Sequence, residues 1–431
     1  MEKKRDIKQI IKDRREKINQ GIVPEGYKKT KVGIIPEDWE VERFKDVVIK
    51  SKEKFYPDKD KDNFKCIELE HINSETGVIN GFIDSKSVKS TKIKFRKGEI
   101  LYGKLRPYLK KYYYATFSGI CSTEIWVFKA KREKLVSSFL YYIVQTNYFN
   151  YHTNISTGSS MPRADWNYVS NIKISIPSIQ EQQKIADVLS TWDRAIELKE
   201  SLIQEKEEQK KGLMERLLTP KENRNWKYFK LGDIGEFRTS SVNKKDDPNE
   251  YPVNLLNYMD VYNNKHINQK IDYMRTTATD HQIKTNDVQI GDVFFTPSSE
   301  TRDDIGHSAV VTEEIKNLVY SYHLIRFRIH ENVDFDIQFR AYCFNSKMIL
   351  REMSRLATGS TRYTLSIDNF ESIGFYLPPL SEQRRIAKIL STADREIELL
   401  KQEVEQLKEQ KKGLMQLLLT GIVRVKEVEH E

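Results

Sequence analysis

The 431-residue sequence is poor in cysteine and has no long apolar run. Its three cysteines, Cys66, Cys121 and Cys343, are odd in number and far apart, so neither a disulfide framework nor a CxxC metal site is indicated. No apolar run approaches the roughly 18 residues needed to cross a bilayer. The first residues, MEKKRDIKQIIKDRREK, lack the apolar core of a secretion signal. These absences predict reduced core thiols, no membrane segment and a cytoplasmic location.

Signatures of catalysis are missing as well. The chain contains no GxGxxG, no GxxxxGK[ST], no HExxH and no Asn/Asp-Pro-Pro-Tyr/Phe tetrapeptide of the kind with which amino-methyltransferases hold a flipped base. The LPPL at 377–380 lacks both the polar first residue and the aromatic last residue of that tetrapeptide. His307, near Asp303 and Asp304, fits a loop feature better than a base or a metal ligand. We therefore expect a binding protein rather than an enzyme, with no metal and no cofactor of its own.

What the chain does contain is a long internal repeat. Residues 176–219 and 377–420 match at 23 of 44 positions without a gap, and both copies contain EQKKGLM. In the second copy, apolar residues recur at alternating steps of four and three, which predicts the seam of a coiled coil. The first copy keeps this pattern but has lysines at three seam positions, Lys199, Lys206 and Lys210. Each copy predicts a helix of about 40 residues, roughly 60 Å long, and the lysines predict a weaker or partly exposed stretch.

The sequence between the repeat copies has a different character. Short β-branched or aromatic runs bounded by turn residues, such as KCIELEHI at 65–72 and NLVYSYHLIRFRIH at 317–330, predict strands. One apolar helical pattern precedes each repeat copy, at 135–149 and at 335–357. Both intervals therefore predict α/β domains.

The repeat extends beyond the long helices. Trp39 corresponds to Trp226 at an offset of 187, and the TGS at 157–159 matches the TGS at 358–360 at an offset of 201. GIV occurs near both chain ends, so the two ends look as if they could continue one another. The predicted segments are an N-terminal helical arm (1–38), a first globular domain (39–178), a central helix (179–219), a second globular domain (220–379), a C-terminal helix (380–420) and a tail (421–431).

Positive charge is concentrated in the first globular domain. Residues 39–179 hold 24 basic and 15 acidic residues, whereas residues 220–380 hold 20 and 22. Residues 86–111 contain ten lysines and arginines against the single Glu99, interleaved with Tyr102 and Tyr108 and followed by Tyr112. Such a cluster attracts phosphates through counterion release, so nucleic acid is the expected partner. A solvated basic face over core tyrosines is the alternative. The second domain would need a local patch, for which the candidates are Arg302, Arg355 and Arg362.

Each α/β domain is followed by a matched helix that begins (I/L)P-x-(I/L)-x-EQ-x-(K/R)-I-A and ends QKKGLM-x-x-LLT. This organisation resembles the specificity subunit of type I restriction-modification enzymes, and the resemblance covers nearly the whole chain, including GIIPEDWEVERF at 33–44. It implies two homologous α/β target recognition domains separated by two long helices, packed as an antiparallel coiled coil in a pseudo-twofold internal repeat. It also implies that each domain reads one half of a bipartite double-stranded DNA target.

The same resemblance implies that the chemistry belongs to other subunits. The helices would dock methyltransferase subunits, two in number, and restriction subunits would join them. S-adenosylmethionine, ATP and magnesium are then expected on those partners and not on this chain. The alternative is a free-standing bipartite DNA-binding regulator without enzyme partners. A third possibility, a nuclease, would cut DNA without other subunits.

Candidate DNA contacts lie in the turns after TGS and in the basic segments, by resemblance and by residue type. Serine, threonine and arginine side chains in turns suit phosphates or base edges, although a turn that merely caps the domain is the alternative. The candidates in the first domain are Lys92, Lys94, Lys104, Arg106, Ser159, Ser160 and Arg163. Those in the second domain are Thr296, Ser298, Arg302, Ser360, Thr361, Arg362 and Tyr363.

Candidate partner-binding residues lie on the two long helices. Gly212 and Gly413 each cost about 1 kcal/mol inside a helix, which suggests a close helix contact or a loosened last turn, with a plain helix end equally open. The candidates on the first helix are Gln182, Ile185, Leu189, Gly212 and Leu213. Those on the second helix are Gln383, Ile386, Leu390, Gly413 and Leu414.

Overall fold

The structure is a computed structural model that describes residues 7–157, 161–220 and 225–425. The described residues form two compact units. Unit 1 combines the residues up to Lys199 with those from Glu403 onward, and unit 2 runs from Glu200 to Gln402. Each long helix contributes one half to each unit. The domain boundaries proposed from the sequence therefore stay predictions, since this division cuts through both helices.

Among the described residues, unit 1 contains short helices, two larger sheets, three two-stranded sheets and one half of each long helix. Its helices are α1 (Ile7–Asn19), α2 (Phe44–Val47), α3 (Ser137–Ile143), α4 (Asn147–Asn154), α5 (Trp166–Val169) and α6 (Ile179–Leu218), which continues into unit 2. Its strands are β1 (Tyr27–Thr30), β2 (Gly33–Pro36), β3 (Glu40–Arg43), β4 (Val48–Lys50), β5 (Lys54–Phe55), β6 (Lys65–Ile67), β7 (Ile83–Asp84), β8 (Lys92–Phe95), β9 (Ile100–Gly103), β10 (Tyr112–Tyr114), β11 (Gly119–Cys121), β12 (Ile125–Ala130), β13 (Ser156–Thr157), β14 (Arg163–Ala164) and β15 (Lys173–Ile176).

Unit 2 has a similar composition and begins with the second half of α6. Its helices are α7 (Leu231–Ile234), α8 (Tyr258–Asn263), α9 (Asp280–Thr285), α10 (Ile337–Cys343), α11 (Lys347–Leu356), α12 (Ile367–Ser372) and the first half of α13 (Leu380–Leu419). Its strands are β16 (Lys227–Lys230), β17 (Gly235–Thr239), β18 (Tyr251–Leu256), β19 (His266–Ile267), β20 (Met274–Ala278), β21 (Val293–Phe295), β22 (Ser298–Ser299), β23 (Ser308–Val311), β24 (Leu318–Tyr320), β25 (Ile325–Ile329), β26 (Tyr363–Thr364) and β27 (Gly374–Leu377).

The sheets of the two units share a central arrangement. In unit 1 the order is β10–β9–β12–β4 in one sheet and β5–β8–β11–β6–β7 in the other, with β6 and β11 parallel. In unit 2 the order is β17–β25–β21–β23–β19 and β20–β18–β24, with β18 and β24 parallel. Strands β9 and β12 thus correspond to β21 and β25. The parallel pair β6 and β11 corresponds to β18 and β24. These correspondences confirm two homologous α/β units.

The apolar helical patterns at 135–149 and 335–357 each form two helices rather than the single helix that was predicted. The hydroxyl of Thr146 accepts a hydrogen bond from the Phe149 N–H at 3.2 Å and caps α4. Ser346 caps α11 in the same way. A side-chain acceptor at the N-cap satisfies a free helix N–H, so a new helix begins at each of these positions although the apolar periodicity continues.

The two ends of the described chain meet in unit 1. Tyr27 donates from its hydroxyl to the carbonyl of Gly421 at 2.6 Å, and Arg14 donates to the carbonyl of Ile422 at 2.7 Å. Gly421 has a φ of 71°, and a Cβ at this position would lie 2.5 Å from Cδ of Pro36, so glycine is required in this turn. The similarity of the two chain ends therefore accompanies a direct contact between them.

A buried glutamine attaches each long helix to the globular part of its unit. The Gln182 amide accepts from the Val136 N–H and donates to the carbonyls of Lys134 and Pro177, each at 2.9 Å. Gln383, at the same repeat position, makes the equivalent three bonds at 2.8 Å with residues 334, 336 and 378. Both glutamines are fully buried. Three hydrogen bonds of one buried side-chain amide therefore fix the start of each long helix to its unit.

Antiparallel contacts join α6 and α13 within each unit. Residue numbers fall along one helix as they rise along the other, so the pairing confirms the predicted antiparallel packing. The lysines predicted to weaken the seam all have acidic partners on the opposite helix. The ion pairs are Lys199 with Glu403 and Asp193 with Lys411 in unit 1, and Lys206 with Glu396, Glu207 with Lys401 and Lys210 with Asp394 in unit 2.

Two of these acids also bind the globular parts. Asp193 accepts a hydrogen bond from the Tyr142 hydroxyl at 2.7 Å, and Asp394 accepts one from the Tyr342 hydroxyl at 2.8 Å. The two aspartates occupy the same position of the repeat. In each unit one carboxylate thus links the opposite helix and the α/β part.

We predict that Gln182→Ala lowers the free energy of unfolding of the full chain by about 2 kcal/mol, because a part-buried N–H, a part-buried carbonyl and a buried carbonyl lose this partner. Urea-induced unfolding measures this change. The matched control is Gln183→Ala, which removes an exposed amide bonded only to Asp187 and should change the free energy by less than about 0.5 kcal/mol. Equal effects of the two variants would contradict the prediction.

Candidate nucleic-acid interface

In unit 1 the turn after β9 lies beside the segment that follows TGS. The Ala164 N–H donates to the carbonyl of Lys104 at 2.9 Å, and the Arg106 N–H donates to the carbonyl of Pro162 at 2.8 Å. Arg163 lies between the two paired positions. The structure therefore brings three candidates, Lys104, Arg106 and Arg163, onto one surface. The candidates Ser159 and Ser160 lie outside the described residues.

A carboxylate that the sequence did not single out holds two of these cations. Glu124 accepts from Arg163 at both oxygens, with Nε at 3.0 Å from Oε2 and Nη2 at 3.3 Å from Oε1, and Nζ of Lys104 lies 3.9 Å from Oε2. The Arg163 side chain is exposed. A bidentate fork fixes the plane of a guanidinium, so Glu124 sets the direction in which Arg163 presents its other donors.

Arg106 stands in a strained turn. It has a φ of 49°, and Lys110, at the other end of the short 3-10 turn Pro107–Leu109, has a φ of 46°. The left-handed region costs a residue with a side chain roughly 1 kcal/mol, and such strain is concentrated at functional sites. Lys110 pairs with Glu75 at 2.8 Å. The Arg106 side chain is exposed and makes no hydrogen bond or ion pair within the described ranges, so it is available to a phosphate.

Two lysine candidates of the basic segment are engaged within unit 1. Lys92 is 7% exposed and pairs with Glu68, so the structure corrects this candidate: a buried, paired ammonium is not available to DNA. Lys94 is partly exposed and pairs with Asp60 at 2.7 Å, and this hydrogen bond lowers the pKa of Asp60. The basic segment therefore presents fewer free cations than its composition indicates.

Unit 2 repeats the arrangement after β21. The Leu365 N–H donates to the carbonyl of Pro297 at 2.8 Å, as Ala164 does to Lys104 in unit 1. Ser298 then pairs with Thr364 in a short antiparallel ladder. The strand-end turn and the segment after TGS are thus adjacent in both units.

The segment after the second TGS forms a tight hairpin loop. Thr358 and Thr364 exchange backbone hydrogen bonds at 3.1 and 2.8 Å. Gly359 has a φ of 138°, and a Cβ there would collide with the carbonyl of Arg362, so this loop needs glycine. Arg362 donates to the Ser298 hydroxyl at 3.2 Å. The loop exposes three candidates: Ser360, Thr361 and Arg362.

Three other candidates of unit 2 have structural contacts. Thr296 is fully buried, with its hydroxyl 3.4 Å from the carbonyl of His307, so burial corrects it as a DNA contact. Tyr363 is half-buried, and its backbone pairs with Ser299 in the β22–β26 ladder. The guanidinium of Arg302 donates to three backbone carbonyls at the end of α11, at 3.0, 3.1 and 3.4 Å. Arg302 therefore acts as a helix cap in this structure.

Residues from two other strand ends lie near Arg362. Tyr258, just after β18, donates to the carbonyl of Ser298 at 2.8 Å. After β24, the rings of Tyr322 and His323 lie 3.9 Å apart. Burial lowers the pKa of His323, as do the positive charges of Lys244 and Arg362. No motif marks these residues in the sequence; only their position at the ends of strands could have indicated them.

Most partner-binding candidates on the long helices face the interior of their own unit. Gln182, Gln383 and the apolar residues Ile185, Leu189, Ile386 and Leu390 are fully buried, which corrects them as contacts for another protein. Leu213 and Leu414 are half-buried against the core. The two glycines differ: Gly212 and Gly413 are exposed, and nothing lies within 4 Å of a Cβ placed on either. Both helices continue beyond them, so neither glycine marks a helix end or packs closely on its own chain.

The three cysteines are buried. Burial raises the pKa of the Cys66 thiol to about 12, and those of Cys121 and Cys343 are raised by the same cause. Among the described residues, no group of three or more His, Cys, Asp or Glu side chains is placed to hold a metal ion. No helix within those ranges is both long and apolar enough to span a bilayer.

Two α/β units, each with an exposed polar loop beside basic side chains and with half of an antiparallel helix pair, define a duplicated protein with two equivalent loop surfaces. The family model described as "Type I restriction modification DNA specificity domain" matches residues 36–208 and again residues 223–409. Because the two matches span most of the sequence, the chain belongs to this family. The resemblance to type I specificity subunits is confirmed.

Full-length relatives agree with this assignment. The chain is 26% identical to a putative type I restriction enzyme MjaX specificity subunit of Methanocaldococcus jannaschii, over 93% of this chain and 97% of the relative. It is also 26% identical to the MjaVIII specificity subunit of the same organism, over 91% and 94%. A chain from a structure that addresses complex assembly and conformational transition of the type I R-M system has a TM-score of 0.62 at 17% identity, with 90% of this chain and 99% of that chain covered. That likeness supports the fold.

The cap at Arg302 can be tested by stability. We predict that Arg302→Ala lowers the free energy of unfolding by about 1 to 2 kcal/mol, because charged hydrogen bonds to carbonyls of α11 are lost. Arg355→Ala is the control, since Arg355 is exposed and its side chain pairs with Glu352 one turn earlier; it should change stability by less than about 0.5 kcal/mol. Thermal or urea unfolding of the full chain distinguishes them, and an unchanged Arg302→Ala protein would contradict the capping role.

Proposed function

We propose that this chain is the specificity subunit of a type I restriction-modification enzyme, in which each unit reads one half of a bipartite DNA target. The supporting observation is the pair of equivalent loops: in both units a strand-end turn lies against the segment after TGS, yet the side chains there differ. Arg106 and Arg163 stand in unit 1, and Ser360, Thr361 and Arg362 in unit 2. Equivalent backbone arrangements that carry different side chains are suited to reading two different half-sites.

The two units differ in the positive charge with which they bind DNA. The first globular domain has nine more basic than acidic residues, whereas the second has two fewer. Phosphate attraction across the surface therefore supports unit 1. Unit 2 relies on a local patch, in which Arg362 and Lys244 are near His323. This patch is the surface by which we expect the nearly neutral domain to contact DNA.

The helices dock two methyltransferase subunits. EQKKGLM occurs once on each helix, so one kind of partner meets two equivalent surfaces. Gly212 and Gly413 leave open space on the helix surface, which allows the backbone of a partner element to approach closely. The methyl donor, ATP and magnesium belong to the methyltransferase and restriction subunits, and this chain supplies target choice.

The deciding experiment is sequencing of modified bases in host DNA with and without the gene for this chain. A two-part motif that loses adenine methylation on deletion is the expected result. Exchange of residues 220–380 for those of a relative should alter one half of the motif only. An unchanged methylation pattern, together with purification of the chain without any methyltransferase, would instead favour a free-standing DNA-binding regulator.

We predict that Arg106→Gly weakens DNA binding by the assembled complex and lowers the slope of log affinity against log salt by about 1, as expected for one lost phosphate contact. Lys110→Gly is the matched control, because it makes the same backbone change at a second left-handed position whose side chain is paired with Glu75. Affinity measured across a salt series should separate the two variants. Equal slopes for both would remove Arg106 from the interface.

We predict that Gly212→Phe combined with Gly413→Phe weakens binding of methyltransferase subunits by about tenfold or more, because each ring fills space needed by the partner. The stability of the free chain should not fall, since a side chain there meets no neighbour. Gln204→Phe, at an exposed position elsewhere on α6, is the control and should leave binding unchanged. Isothermal titration with purified methyltransferase measures this, and full affinity in the double variant would contradict docking at the glycines.

A further inference from the structure

One turn occupies the same place in both units but carries different side chains. In each unit it begins with a serine whose N–H donates to the neighbouring parallel strand, and it ends with a residue whose N–H donates back to that serine. The contacts are Ser122 to Ile67 at 2.9 Å and Ile125 to Ser122 at 3.0 Å in unit 1, and Ser321 to Leu256 and Leu324 to Ser321, both at 3.0 Å, in unit 2. Glu124 and His323 are therefore equivalent, each being the third residue of its turn.

Glu124 contacts the arginine of the neighbouring loop, and His323 lies near enough to Arg362 for its charge to act on the ring. Glu124 makes the bidentate fork with Arg163, although the two are 39 positions apart in the chain. His323 is half-buried, and the charges of Arg362 and Lys244 act on its ring. The third position of the turn thus places a carboxylate against Arg163 in unit 1 and an imidazole near Arg362 in unit 2.

The chemistry of these groups suits base selection. A carboxylate accepts from cytosine N4, and a guanidinium held in a fixed plane donates to O6 and N7 of guanine. An imidazole both donates and accepts. In unit 2 the exposed ring of Tyr322 lies 3.9 Å from His323, whereas Thr123 occupies its place in unit 1. The turn therefore offers each unit a different set of donors and acceptors.

We propose that Glu124 and His323 are specificity-determining residues, which set base preference in the first and the second half of the target, respectively. Glu124 acts as a positioning residue through Arg163. His323 acts together with Arg362. This inference rests on the proposed function, because it assigns residues within the same two reading surfaces.

The test uses the complex of the full chain with its methyltransferase subunits and a panel of duplexes, each with one base changed in the wild-type motif. Glu124→Gln should reduce discrimination about tenfold at positions of one half-site only, and His323→Gln should do so in the other half-site. The matched controls are Glu42→Gln, whose carboxylate pairs with Lys134 in unit 1, and His281→Gln, an exposed residue on α9 in unit 2. Both controls should keep the wild-type profile.

Uniform weakening across the panel would show a merely structural role and overturn the inference, as would an unchanged profile or a change in both half-sites. Glu124→Asp and His323→Asn, measured in the same way, decide the matter if a glutamine variant does not assemble. A wild-type complex without any bipartite preference would instead overturn the proposed function, and this inference with it.

Discussion

In each unit, the bonds of one aspartate on the helix seam join the long helices to the α/β part, and the arrangement of the unit depends on them. Asp394 accepts from Tyr342 of the α/β part and pairs with Lys210 of the opposite helix, while Lys265 approaches to 3.6 Å. Burial alone would raise the pKa of Asp394, but the hydrogen bond from Lys210 and the charges of both lysines lower it overall. Loss of one partner leaves a less well compensated charge on this half-buried carboxylate. The position of the helix pair is therefore coupled to that of the α/β part.

This constraint supplies a reason within the chain itself for the repeated helix sequence. Helix α6 contributes Asp193 to unit 1 and Lys210 to unit 2, and α13 contributes Asp394 to unit 2 and Lys411 to unit 1. Each helix must therefore carry both the acid and the lysine at the right spacing, and that lysine is the first of the two in EQKKGLM. The loops at the strand ends lie under no such requirement. They can differ between units while the frame is retained.

Periodicity and repeat structure predicted the long helices and the two α/β units, because these follow from local patterns and from the duplication. The antiparallel pairing was implied by the resemblance to specificity subunits. Contacts between residues far apart in the sequence could not be predicted from these patterns. Lys199 and Lys210 looked like weak seam positions because their acidic partners lie about 200 residues away. Gln182 looked like a partner contact, since a matched side chain does not reveal whether it serves its own unit or another protein. Glu124 had no sequence signal, because its fork with Arg163 arises only when two strand ends meet.

The net charges of the two globular domains offer a physical reason for the difference between Glu124 and His323. Under the proposed function, phosphates are attracted by the whole basic surface of the first domain, and an arginine that reads a base gains discrimination when a carboxylate fixes its direction. The second domain carries a balance of −2, so a carboxylate at the same position would cancel the local positive patch around Arg362. An imidazole there retains hydrogen-bonding capacity without adding negative charge. Under the proposed function, the equivalent turn therefore balances affinity against discrimination differently in the two units.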